Sequence, residues 1–224
     1  MFPLFDVGSG GLLAPARFLG TGFFLGRHDF AMTAAHVIRG VEQAVALLAG
    51  PSGWLSFAAN AAELHPREDL AVLAMQPPGL EHHWSAFVTL KALETRSSLP
   101  YHLWGYPEDA ALDLAETGQG LRPDLVYSEG HVRRRVTDVP LPSIRGSRFI
   151  ELSGVAGAGC SGSPVLRRRP GEMWDLCGVY VGERVNERAT SVGYAVVLDE
   201  LAEWIPALVG RSLREEANDV DPSW

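Results

Sequence analysis

Gly159-Cys160-Ser161-Gly162-Ser163-Pro164 places a serine between glycines, downstream of a histidine in Thr33-Ala34-Ala35-His36 and an aspartate in Glu68-Asp69-Leu70-Ala71-Val72-Leu73. A serine hydroxyl is a weak nucleophile at neutral pH unless a base takes its proton, and a histidine base works best when a carboxylate fixes its tautomer and steadies the imidazolium. His36, Asp69 and Ser161 can supply base, orienter and nucleophile for acyl transfer. Each alone has a plainer reading: a histidine satisfied within the fold, an aspartate in a turn, a Gly-Ser-Gly loop. The chemistry therefore rests on the three together. Cys160 is disfavoured as nucleophile, because the Gly-x-nucleophile-Gly frame centres on Ser161 and puts a serine, not a glycine, after the cysteine.

His36 and Asp69 lie 33 residues apart, and Asp69 and Ser161 lie 92 apart, so only the fold can assemble them. The elements available for that task are short apolar or alternating runs: 17–25, 30–35, 44–48, 54–58, 70–75, 101–104, 125–127, 149–152, 164–166, 176–181 and 191–198. Clusters of Gly, Pro and Asp separate them, which is the pattern of an all-β sandwich or barrel. Consecutive prolines in Gln76-Pro77-Pro78-Gly79 cannot donate to a ladder and mark a break between lobes. We place an N-terminal lobe at 1–78, a linker with C-terminal lobe and terminal helix at 79–209, and a charged tail without fixed structure at 210–224. That helix is expected to begin at Asp199 as cap, with Leu201, Trp204, Ile205 and Leu208 on its apolar face and Pro206 limiting it. The stretch from Pro107 to Gly120 reads as an exposed loop, and Trp224 at the tail's end is a docking candidate.

The chain has 224 residues, 46% of them hydrophobic, enough for a sizeable core. Its net charge is −8, and its two basic clusters, Arg133-Arg134-Arg135 and Arg167-Arg168-Arg169, are short. They read as solvated strand or turn positions, so no nucleic-acid partner is expected. Met1-Phe2-Pro3-Leu4-Phe5-Asp6 lacks a basic start, and no run approaches the ~20 apolar residues of a membrane-spanning helix, so no membrane partner and a cytoplasmic location are expected. Cys160 and Cys177 read as free thiols rather than a disulfide framework, and no suitably spaced histidines join them for a metal. Lys91 is the only lysine in an Ala-, Gly-, Pro- and Arg-rich chain, a composition that points to a GC-rich bacterial genome.

The order His, Asp, Ser distinguishes this set from subtilisins and α/β-hydrolases. With Gly20-Thr21-Gly22-Phe23, Trp104-Gly105-Tyr106-Pro107, Gly178-Val179-Tyr180 and Gly193-Tyr194-Ala195, the chain resembles a trypsin-like, chymotrypsin-fold serine peptidase of the bacterial HtrA-like or glutamyl-endopeptidase-like kind over roughly residues 15–209. The resemblance implies two six-stranded antiparallel β-barrels with the active site in the cleft between them. It implies an oxyanion hole from the backbone amides of Gly159 and Ser161, and a substrate pocket lined by Val155, Tyr180, Val181, Gly182, Glu183 and Gly193. No cofactor or metal is implied. Digestive trypsins carry an aspartate before the nucleophile that pairs with a newly cut N-terminus. Cys160 stands there instead, so activation by that kind of cleavage is not expected. Val155 falls approximately where trypsins carry the aspartate at the base of the pocket, so a small or apolar residue before the scissile bond is expected, unless Glu183 points inward and favours a basic one.

Two functions follow as expectations. One is a serine endopeptidase acting on a protein or peptide substrate, with room for a regulatory protein partner. The other is a protease-fold binding or regulatory module whose site is silent or partner-gated, since a fold can outlive its chemistry.

Overall fold

Side chains alternate across a strand, so a run of apolar residues every second position needs one buried face, and an unbroken apolar run needs two. Both kinds occur in this protein. The structure, a computed structural model, describes residues 1–8, 17–50, 53–77, 88–91, 94–108, 124–168, 173–185 and 191–219. The first barrel comprises β1 (Phe2–Asp6), β2 (Arg17–Leu25), β3 (Phe30–Thr33), β4 (Ala44–Gly50), β5 (Gly53–Leu64) and β6 (Ala71–Gln76), with the short helix α1 (Ala35–Ile38) directly after β3. It closes in the order β1-β2-β3-β6-β5-β4.

A two-residue strand, β7 (Val88–Thr89), leads into β8 (Pro100–Gly105), β9 (Val126–Thr137), β10 (Arg148–Leu152), β11 (Pro164–Arg167), β12 (Trp174–Val185) and β13 (Ser191–Val197). Their order is β11-β8-β9-β10-β13-β12, and a further β11–β12 pairing closes the ring into a second six-stranded antiparallel barrel. β7 adds to it in parallel alongside β12. Helix α2 (Leu213–Asn218) ends the described chain.

The unbroken runs are explained by two faces of burial. Along β10, β12 and β13, Ile150, Leu152, Tyr180, Ala195 and Val197 fill the second barrel. Their neighbours Phe149, Val179, Val181, Tyr194 and Val196 join the larger cluster built on Phe2, Phe23, Phe57 and Leu73 of the first barrel. One core thus runs through the interface between the barrels. At ~1.5–3 kcal/mol per buried large side chain, docking the barrels is a strongly favourable step.

Four expectations change. Phe2–Asp6, unassigned in the sequence, is a strand whose first four residues are buried and which closes the first barrel between β2 and β4. β9 is 12 residues long rather than a short run at its start, because most of it is exposed and polar and is held by ladders to β8 and β10 instead of by an apolar stripe. The terminal helix is not at 199–208. Asp199 accepts from the Thr95 amide at 2.6 Å and pairs with Arg135, so it is not available as a cap. The helix lies at 213–218, inside the stretch expected to lack structure, where Ser212 and Glu215 form a reciprocal capping box. Finally, Arg167 is buried against Asp175 and is not a solvated strand position. Pro78, Gly79, most of the 107–120 loop, Arg169 and Trp224 lie outside the described residues. Among the described residues, no helix is long and apolar enough to cross a membrane.

Candidate active site

A single residue, Ala34, separates β3 from α1, and at this N-cap position it has no side chain able to accept a hydrogen bond. An orphan amide of the first turn therefore needs an outside acceptor. Asp69 supplies it: its Oδ1 accepts from the His36 amide at 2.9 Å, and its Oδ2 lies 2.6 Å from His36 Nδ1. A carboxylate only accepts, so Nδ1 carries a proton, and in the neutral ring Nε2 has the lone pair. The two side chains differ sharply in exposure, 3% for Asp69 against 45% for His36, so a shielded carboxylate backs an accessible imidazole.

Ser161 occupies a tight turn after β10 and is partly exposed. Three amides of the turn are used within the fold: Cys160 to Gly157 O, Gly162 to Tyr180 O, and Ser163 to Cys160 O. Among the described residues, the amides of Gly159 and Ser161 take no part in this backbone pairing. Both flanking glycines have positive φ, +89° at Gly159 and +91° at Gly162. A Cβ at 162 would come 2.0 Å from the Thr21 carbonyl oxygen and 2.2 Å from Thr33 Oγ1. Glycine is required there by both space and conformation.

The serine turn meets the histidine segment through two buried threonines. Thr33 Oγ1 donates to the Thr21 carbonyl at 2.7 Å, and the Thr21 amide donates to the Ser161 carbonyl at 2.8 Å. Thr21 Oγ1 donates to the Gly159 carbonyl at 3.2 Å and accepts from the Tyr106 amide at 3.0 Å. Gly20 lies against both partners: a Cβ there would sit 2.8 Å from the Ser161 carbonyl oxygen and 2.9 Å from Val37, the neighbour of His36. Thr21 and Thr33 belong to the short motifs seen in the sequence, but their linking role depends on contacts that sequence order does not display.

The residues assigned to substrate binding divide by exposure. Val155 and Glu183 are exposed, whereas Tyr180, Val181 and Gly193 are buried. The Tyr180 ring stands in the second barrel core, its hydroxyl accepting from the Ala156 amide at 3.2 Å, and burial pushes the phenol above its ordinary range. A Cβ on Gly193 would lie 2.9 Å from that ring and 2.6 Å from the Gly154 carbonyl oxygen. Gly182 follows a register shift in the β12–β13 ladder. Cys160 is buried, its thiol donating to the Ala156 carbonyl at 3.0 Å, and neither Cys160 nor Cys177 is in a disulfide. Among the described residues, no group of three or more His, Cys, Asp or Glu converges as a metal site.

The sequence pattern of the trypsin-like peptidase domain matches residues 20–178. The apo MamO protease domain from Magnetospirillum magneticum is 17% identical, with a TM-score of 0.63 over 88% of this chain and 92% of that one. The active form of the Rv3671c protease from M. tuberculosis is 18% identical, with a TM-score of 0.62 over 100% of this chain and 82% of that one. The HtrA-type protease AlgW with a decapeptide is 20% identical, with a TM-score of 0.55 over 81% of this chain and 49% of that one. No curated protein matches this chain.

Proposed function

Because the chain belongs to the trypsin-like peptidase domain family, we propose that it is a serine endopeptidase cleaving peptide bonds of a protein substrate through His36, Asp69 and Ser161. The observation that carries this reading is the two-oxygen hold of Asp69 on His36. In the proposed cycle Ser161 Oγ attacks the scissile carbonyl carbon while His36 Nε2 takes the hydroxyl proton. Asp69 keeps the Nδ1 proton and stabilises the imidazolium. The amides of Gly159 and Ser161 receive the developing oxyanion, donors that would otherwise need reorganised water. The imidazolium then protonates the leaving amine as the C–N bond breaks. Water, deprotonated by His36, hydrolyses the acyl-enzyme and returns the serine.

The proposal extends to specificity and setting. Gly193 is packed tightly against the Tyr180 ring and Glu183 is exposed, which supports a small or apolar residue before the scissile bond. Peptide-library profiling is expected to show it, and a strong Arg or Lys preference would overturn it. Two buried cysteines kept as thiols support a cytoplasmic setting.

The test of the central reading is intact-mass analysis after fluorophosphonate treatment of the native chain and of Ser161→Ala. One adduct on the native chain and none on the variant is expected. A native chain that takes no adduct would move the reading to a binding module with a silent or partner-gated site.

A further inference from the structure

Glu68 and Asp69 are consecutive acidic residues, buried to 1% and 2% exposure, and their carboxylates have different partners. Asp69 reaches His36 within the first barrel. Glu68 reaches the second barrel, where its Oε2 accepts from the amides of Ser147 at 2.9 Å and Arg148 at 3.3 Å, and its Oε1 lies 3.4 Å from Ser147 Oγ. A buried carboxylate without donors is costly, so these contacts tie the position of Glu68 to the β9–β10 connection. That connection is shaped to receive it. Gly146 has φ of +112°, and a Cβ there would lie 2.4 Å from Glu68 Oε2.

The rest of the turn is held from the same side. His65 closes it through its amide to the Leu70 carbonyl at 2.8 Å, and its Nδ1 accepts from the amides of Arg67 and Glu68 at 3.2 and 2.9 Å. Arg145, from the β9–β10 connection, donates to the carbonyls of His65 at 3.4 Å and Pro66 at 2.5 Å. Trp204, beyond the second barrel, packs edge-on to the His65 ring at 4.8 Å. With one side of the turn fixed to the second barrel and the other bearing Asp69, the place of the Asp69 carboxylate depends on how the barrels dock.

We propose that Glu68 is a positioning residue: by anchoring the Asp69 turn to the Ser147 and Arg148 amides of the second barrel, it sets the Asp69 carboxylate against His36 and makes that pair conditional on barrel docking. The geometric claim stands on the contacts alone; its consequence for turnover rests on the serine-peptidase reading.

The experiment compares the full chain with Glu68→Ala, Glu68→Gln and Arg145→Ala. The low-field proton resonance of His36 Nδ1, assigned with His36→Ala, reports the Asp69 bond whether or not the enzyme is active. Fluorophosphonate adduct rate reports the assembled nucleophile, and thermal melting reports folding. In folded Glu68→Ala the resonance is expected to shift or broaden and the adduct rate to fall about 10²-fold, the scale of a roughly 1 Å misplacement. Glu68→Gln, which keeps volume and one acceptor, falls between, and Arg145→Ala moves the same readouts less. Should Glu68→Ala fail to fold, Glu68→Gln carries the test. A wild-type resonance and rate in the folded Glu68 variants would overturn the inference even if melting falls. A native chain that takes no adduct but whose resonance changes in the Glu68 variants would refute the peptidase reading and leave this inference standing.

Discussion

Asp69 holds both the backbone and the ring of His36, and the two contacts have separable consequences. In Asp69→Asn, an amide can still satisfy the His36 backbone N–H through its oxygen, but it then presents NH₂ to Nδ1 and favours the opposite tautomer. The fluorophosphonate adduct rate is expected to fall by about 10⁴-fold, the scale known for the equivalent change in a Ser-His-Asp enzyme, with a much smaller change in melting temperature. Gly162 makes the contrasting case. Gly162→Ala meets both the Thr21 carbonyl and the Thr33 hydroxyl in a backbone region costly for alanine. Urea unfolding is expected to show a loss of about 2–4 kcal/mol from strain and overpacking together, along with a reduced adduct rate. A neutral Gly162→Ala would mean the serine turn is not built as described.

The turn from His65 to Leu70 is expected to loosen in acid through His65. The His65 imidazole must be neutral for Nδ1 to accept two amides, and burial first of all lowers its pKa, with Glu68 opposing and Arg67, Arg145 and Arg148 assisting. An unfolded histidine titrates near ~6.5. The folded value lies below that, so this contribution to stability is present above pH ~6.5 and is lost as pH falls through the folded pKa. Melting temperature is therefore expected to drop between neutral pH and about pH 5. His65→Asn, which keeps an acceptor but cannot protonate in that range, is expected to melt lower at neutral pH and with a flatter acid dependence. An unchanged slope in that variant would assign the acid sensitivity elsewhere. Between strands, the buried pair of Arg167 and Asp175 joins β11 to β12, and Asp175 also accepts from the Lys91 amide at 3.0 Å beside β7. This triple junction explains how a strand as short as β7 is held.

Across the whole molecule, the chain returns to the first barrel after the second is complete. Helix α2 makes that return: the buried Glu216 meets His28 at 3.1 Å and also pairs with Arg211, while the Asn218 side chain pairs with both the amide and carbonyl of Leu90. In the serine turn, Cys160, which stands where digestive trypsins carry an aspartate, donates its thiol to the Ala156 carbonyl. The native chain is accordingly expected to take the fluorophosphonate adduct without prior proteolysis. Labelling that begins only after N-terminal trimming, followed by intact mass, would contradict this.

The sequence by itself determined what depends on local pattern and on residue type. Short apolar or alternating runs located most strands, the glycines around Ser161 fixed a turn that only glycine tolerates, and the motif order named the family. Tertiary structure decided what depends on pairing between distant segments. Phe2–Asp6 became a strand because β2 and β4 bury it, while Asp199 was drawn from capping a helix by Arg135, 64 residues away in the chain. Thr21, Thr33 and Glu68 acquired their roles in the same way, since a buried hydroxyl or carboxylate goes wherever donors and acceptors are offered. Hydrophobic periodicity is written along the chain, but the partner that satisfies a buried polar group is chosen only when the barrels close and dock.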